Sequence, residues 1–160
     1  MNLLLDCIMR VSRFAQVIAG IALTGIVGLT VADVILRSFG RPILGSYEIV
    51  AMMGALVLGF SLPFTSWVRG HIYVDVLVQK LSRGARYGFH FATRILGIVF
   101  FSLISWNLIK MGLDLQKSGE VSPTLQIPFY PIVYGIGICC LLQSLVLLGD
   151  IAKLFRGKYE

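Results

Sequence analysis

Four long stretches without a charged residue limit what this chain can fold into. They cover 14–32, 49–68, 95–109 and 121–149. A helix crosses a hydrocarbon core of roughly 30 Å with about 20 residues. Three of the stretches reach or nearly reach that length unaided. The stretch at 95–109 reaches it if Arg94 and Lys110 extend their charged ends to the two interfaces. The expected fold is all-α and integral to a membrane, a single domain over 1–160 with spans near 14–36, 47–68, 91–113 and 129–149. Four spans in 160 residues leave little other chain. Any function must lie in the membrane or in three short connections.

Composition agrees. The chain is 57% hydrophobic and 14% charged, where a soluble domain averages about 25% charged. A net charge of +6 raises the question of nucleic acid. The basic residues flank apolar segments and form no groove, so anionic headgroups are the simpler partner. Arg10 and Arg13 precede an apolar stretch longer than the usual signal core of about 7–15 residues. A retained first helix is therefore expected. Cys7, Cys139 and Cys140 make no disulfide framework, because the adjacent pair points to different sides of a helix.

Charge sets an expected topology. Arg10, Arg13, Arg69, Lys80, Arg83, Arg86, Arg94, Lys153, Arg156 and Lys158 fall on one side of four spans. Arg37, Arg41, Lys110 and Lys117 fall on the other. Ten against four places both termini and the 69–94 connection in the cytoplasm, with 37–47 and 110–128 outside. Tyr47, Trp106, Tyr130 and Tyr134 then sit near the outer interface, and Trp67 and Tyr73 near the inner one.

Close helix contact in lipid needs small residues. Gly20, Thr24, Gly28 and Ala32 repeat every fourth position in the first span, as do Ala51, Ala55 and Gly59 in the second. Their faces are expected either to meet or to accept a partner helix. Pro63 predicts a bend near Gly59. Between the second and third spans, Val74, Leu77, Val78, Leu81 and Ala85 recur at helical spacing. That pattern predicts an amphipathic interfacial helix near 74–86, with Lys80, Arg83 and Arg86 as headgroup anchors.

The polar residues at span ends carry what specificity the chain has. Asp33 precedes Arg37 by four positions, on one helix face, which lowers the cost of an acid in a span. A local ion pair, a subunit contact and a proton or ion site are all open readings of Asp33. Ser46 is placed to cap the second helix, with Glu48 at its positive dipole end. Asp33, Arg37, Arg41 and Glu48 form a candidate outer cluster that fixes the hairpin or docks a partner. Lys117 and Glu120 flank Ser118 and Gly119, a turn-forming pair, and Pro123 and Pro128 stiffen the return. Pro128 and Pro131 suit the first turn of the fourth helix. Asn107, Gln143 and Ser144 are expected to hydrogen-bond between helices. His71 and His90 have no second ligand at metal spacing. There is no serine–histidine–acid set, phosphate loop or carboxylate pair, so neither catalysis nor a cofactor is expected.

Three segments together resemble the small membrane subunit of tripartite ATP-independent periplasmic transporters. They are DVILR at 33–37 leading to RPILGSYE at 41–48, RGHIYVD at 69–75, and KSGEVSPTL at 117–125 followed by IPFYP at 127–131. Length and span layout agree. The resemblance implies a bacterial inner-membrane subunit paired with a large many-span protein, which carries sodium and substrate sites on an elevator. It also implies a periplasmic binding protein that delivers small organic acids, and import driven by an ion gradient. This chain would scaffold the large subunit and help dock the binding protein. The alternative is an autonomous four-helix transporter acting as a homo-oligomer. Such a chain usually carries a central acid in its first helix, whereas Asp33 lies toward the end of its span. A quinone-linked thiol oxidase would need a second cysteine pair.

Overall fold

The computed structural model describes residues 2–68 and 83–155. Four helices account for nearly all of them: α1 (Asn2–Ser38), α2 (Ser46–Trp67), α3 (Arg83–Ser118) and α4 (Tyr130–Phe155). Among the described residues, β structure is limited to one bridge between Val121 and Pro128. Each helix holds a stretch long and apolar enough to cross a membrane: Cys7–Ser38, Ser46–Trp67, Phe91–Ser118 and Tyr130–Ile151. Large apolar side chains such as Phe14, Ile21, Leu58, Leu96 and Ile138 are exposed along these helices. In water they would be a liability; against lipid tails they are solvated.

The helices pack in the neighbour order α1, α2, α4, α3, and α1 also touches α4. The central α4 carries more buried residues than any other helix, including Cys139, Cys140, Gln143, Val146, Leu147 and Asp150. α2 meets α4 along Gly59, Pro63 and Ser66, all buried at helical spacing. A Cβ on Gly59 would lie 2.8 Å from Cγ1 of Ile136, so the missing side chain sets how closely these two helices approach. Pro63 sits inside an unbroken α2 and is fully buried on this same face.

The small-residue stripes do not meet. α1 buries Ser12, Ala15, Ala19 and Ala22, at spacings that trace one face. Gly20 and Gly28 have nothing within 4 Å of a would-be Cβ, and Thr24 is exposed. On the second stripe, Ala51 is exposed and Gly59 faces α4. The alanine ladder one step away serves α1 instead, since a flat methyl surface allows close approach as well as glycine does.

The third helix runs past the expected span end near 113 to Ser118, leaving 119–129 as the connection. Its last turns gain packing: Leu115 is buried, and a Cβ on Gly112 would lie 2.7 Å from the Tyr134 ring. Lys110, Asp114 and Lys117 are exposed on the remaining surface. Residues 74–82 of the expected interfacial helix near 74–86, with Lys80, lie outside the described residues, as do His71 and Tyr73. Arg83 and Arg86 fall in the first turn of α3, which continues without a break into the membrane-crossing stretch.

Candidate docking surface at the turn end

The α1–α2 turn and the α3–α4 connection lie together at one end of the bundle. α1 ends in a Schellman motif: Leu36 C=O accepts from Arg41 N–H (2.9 Å) and Arg37 C=O from Gly40 N–H (3.0 Å). Gly40 takes φ +74 there, the left-handed state in which glycine costs least. Pro42 follows and stops any continuation.

Asp33, one turn inside α1, closes this hairpin. One carboxylate oxygen accepts from Arg37 Nη2 at 2.7 Å, and the other from the Ile43 N–H at 2.8 Å. Asp33 is buried while the Arg37 side chain is half exposed, with its guanidinium 5.7 Å from the centre of the Tyr47 ring. The i,i+4 spacing delivered the ion pair. The backbone bond to Ile43, ten positions on, has no local signature in the sequence.

Ser46 does not cap α2. The N-cap is Gly45, at φ +76, with no side-chain cap bond. Leu125 takes the space beside it: a Cβ on Gly45 would lie 2.5 Å from Leu125 Cγ. A capping serine at Ser46 is displaced because the helix already starts there.

Glu48 reaches out of the hairpin altogether. Its two carboxylate oxygens accept from the backbone N–H groups of Thr124 (2.8 Å) and Leu125 (3.0 Å). A carboxylate taking two amide donors is a strong, geometrically exacting link. It joins segments 76 and 77 positions apart, and so ties the two connections into one surface.

The partner segment is prefolded to receive it. α3 ends at Ser118, and Gly119 follows at φ +69. Ser122 N–H donates to Ile127 C=O (2.9 Å), Ser122 C=O accepts from Gln126 N–H (3.0 Å), and Ser122 Oγ accepts from Ile127 N–H (3.2 Å). Ser122 is fully buried and organises this tight loop, with Gln126 at φ +54. Its role was not read from the sequence, although a serine just before a proline is a turn signal. Pro128 belongs to this loop's bridge, not to α4, which begins at Tyr130 with only Pro131 in its first turn.

The proposed four-residue cluster is therefore two linked devices. Asp33 and Arg37 pair within α1; Glu48 binds the loop; Arg41, past the left-handed Gly40, is exposed with no side-chain partner among the described residues. Lys117 and Glu120 are exposed beside the loop and make no ion pair with any described residue. Exposed Phe39, Leu44 and Tyr47 complete a mixed apolar and charged tip.

A second charged pair was missed. Arg94 does not extend to an interface. It is buried against α4, with Nη2 3.5 Å from Asp150 Oδ2. The signal was present as opposite charges at matching depths, at the start of one span and the end of the next. Lys110 does lie exposed, 5.1 Å from the Trp106 ring. Of the other polar residues within spans, Gln143 bonds to Ser66 across helices. Among the described residues, Asn107 and Ser144 bond to their own helices. Ser105 instead supplies an α3–α4 bond, to Gly137 C=O at 2.8 Å.

A family model described as tripartite ATP-independent periplasmic transporters, DctQ component, matches residues 26–157. No curated protein matches the chain. The family match covers the three segments that carried the resemblance and all of the turn-end surface.

Proposed function

This chain belongs to the DctQ family, the small component of tripartite ATP-independent periplasmic transporters, and from that premise we propose that it is a non-catalytic scaffold. The family and the four apolar helices make it a multi-pass bacterial inner-membrane protein. The tripartite assembly implies a large membrane subunit and a periplasmic binding protein as companions. The proposed role is to stay fixed while the large subunit moves its cargo, small organic acids imported on an ion gradient, with sodium the expected ion. Both termini lie in the cytoplasm, and the turn end faces the periplasm.

The link from Glu48 to the Thr124 and Leu125 amides carries this reading. A chain acting as its own carrier needs parts that move against each other. Here the two outward connections are bound to one another, and both buried acids are paired. That leaves no unpaired buried acid among the described residues of the spans to take up a proton or an ion, which weighs against the autonomous exporter. What the surface offers is a rigid tip with free charges at Arg41, Lys117 and Glu120. A rigid tip docks at lower entropic cost than a floppy one.

Charge reversal tests the docking role. Lys117→Glu and Glu120→Lys should each lower solute uptake in cells, with the amount of protein in the membrane unchanged. Rim charges act mainly on association rate and salt dependence, and salt screens them, so the loss should shrink as salt rises. Full uptake in both variants would remove docking from these residues.

A further inference from the structure

At the end of the bundle opposite the turns, three buried oxygens lack hydrogen-bond partners among the described residues. Ser12 is fully buried on α1 and its Oγ has none; neither does Oε1 of Gln16, one turn further along. Gln143 of α4 is 1% exposed. Its amide nitrogen donates to Ser66 Oγ of α2, while its Oε1 is unpartnered.

Ser12 and Gln143 share one level. Gly25 of α1 and Met53 of α2 mark the register, since a Cβ on Gly25 would meet Met53 Cε at 2.6 Å. The two helices run antiparallel, and Ser12 and Ser66 each lie thirteen residues beyond that contact. With equal rise per residue they stand at the same height. Ser66 is bonded to Gln143, and α1 packs on both α2 and α4. Ser12 and Gln143 therefore lie at about one height along the seam of these three helices, with Gln16 one turn further along α1.

Buried polar atoms are almost always satisfied, by protein or by ordered water. We propose that this seam is a built binding site for water. Two amide oxygens call for two donors, and the Ser12 hydroxyl supplies a third bond by donating. One water molecule meets all three demands, the usual number for an internal water. A metal ion fits less well. The three oxygens are neutral, and Asp150, two turns from Gln143 on the same face of α4, is engaged by the Arg94 guanidinium. An apolar ligand would leave all three oxygens unsatisfied. The water would fix the register of α1 against α2 and α4 in a bundle whose lipid-facing contacts give little direction.

Proton-detected solid-state NMR of the full chain in lipid nanodiscs tests this. The experiment reads magnetisation transfer from water to the side-chain amide protons of Gln143 and Gln16. Transfer to both is expected in the unmodified protein. It should fall several-fold at Gln143 in Ser12→Ala and stay unchanged in Ser144→Ala, whose hydroxyl bonds within its own helix. Absence of transfer in the unmodified protein would mean that the oxygens satisfy one another, and would overturn the proposal. So would a shift of these signals when sodium replaces N-methylglucamine, which would assign the site to a cation. The unmodified spectrum decides even if Ser12→Ala fails to fold.

Discussion

Single residues at the turn end act by how many backbone donors they collect. Asp33 and Glu48 are both carboxylates near span ends, yet they do different work. Asp33 divides its oxygens between its own helix and the turn that follows, so it shapes the hairpin. Glu48 spends both oxygens on a distant loop, so it joins two hairpins. Glu48→Ala should therefore loosen 119–128 and leave the α1–α2 turn in place. Limited proteolysis of the purified chain would show several-fold faster cleavage within 119–128. Glu48→Gln should fall between, since its single amide oxygen can replace only one of the two acceptors. Equal cleavage in all three proteins would show that the loop holds itself through Ser122. The two acids also differ in how readable they were. Asp33–Arg37 follows from helical spacing, a rule confined to one element. The Glu48 link depends on a loop conformation set by Ser122 and Gln126, and no spacing rule reaches 76 positions along a chain.

Elements meet where side chains are smallest, and that explains which sequence patterns were informative. Apolar length alone identified four membrane-crossing helices, because only helices and closed barrels satisfy the backbone in lipid, and barrel strands are about half this length. Their contact faces were less legible, since alanine and glycine stripes occur on several sides of one helix. Gly59 and Gly28 separate the cases. Gly59→Ala places a methyl within 2.8 Å of Ile136 and should cost about 1–3 kcal/mol through overpacking. Gly28→Ala meets nothing within 4 Å and should be neutral or slightly stabilising in the isolated chain, alanine being the better helix former. Thermal unfolding in detergent compares the two; equal effects would contradict the packing of α2 on α4. α3 and α4 are joined differently, by the buried Arg94–Asp150 pair. Removing one member strands a charge, at a cost of about 3–5 kcal/mol, while replacing both with apolar residues of similar volume is often neutral. Asp150→Leu should thus unfold at a lower temperature than Arg94→Met combined with Asp150→Leu. A double variant no better than the single one would mean that the pair is held mainly by other contacts.

For the whole molecule, one property follows from charge placed against architecture. The turn end carries Arg37, Arg41, Lys110 and Lys117; the remaining ten of the fourteen lysines and arginines belong to the other side. The positive-inside rule counts charges near span ends that must stay uncrossed. Arg94 should be discounted, because its charge is buried against Asp150 inside the bundle. Nine against four still points the same way, so the buried ion pair does not alter the expected orientation. The Glu48 link agrees with the alternation of four spans: the two connections at the turn end must face the same compartment, because they are bonded to each other. A single accessible position on either connection therefore reports on both. With Cys7, Cys139 and Cys140 replaced, Glu120→Cys and Lys158→Cys give one probe for each side. A membrane-impermeant maleimide added to spheroplasts should label the variant at position 120 at once, and the variant at 158 only after lysis. The reverse pattern would turn the molecule over and remove the binding protein as a partner of the turn-end surface. Labelling of both before lysis would point to a mixed population, in which the charge difference is too weak to fix one orientation.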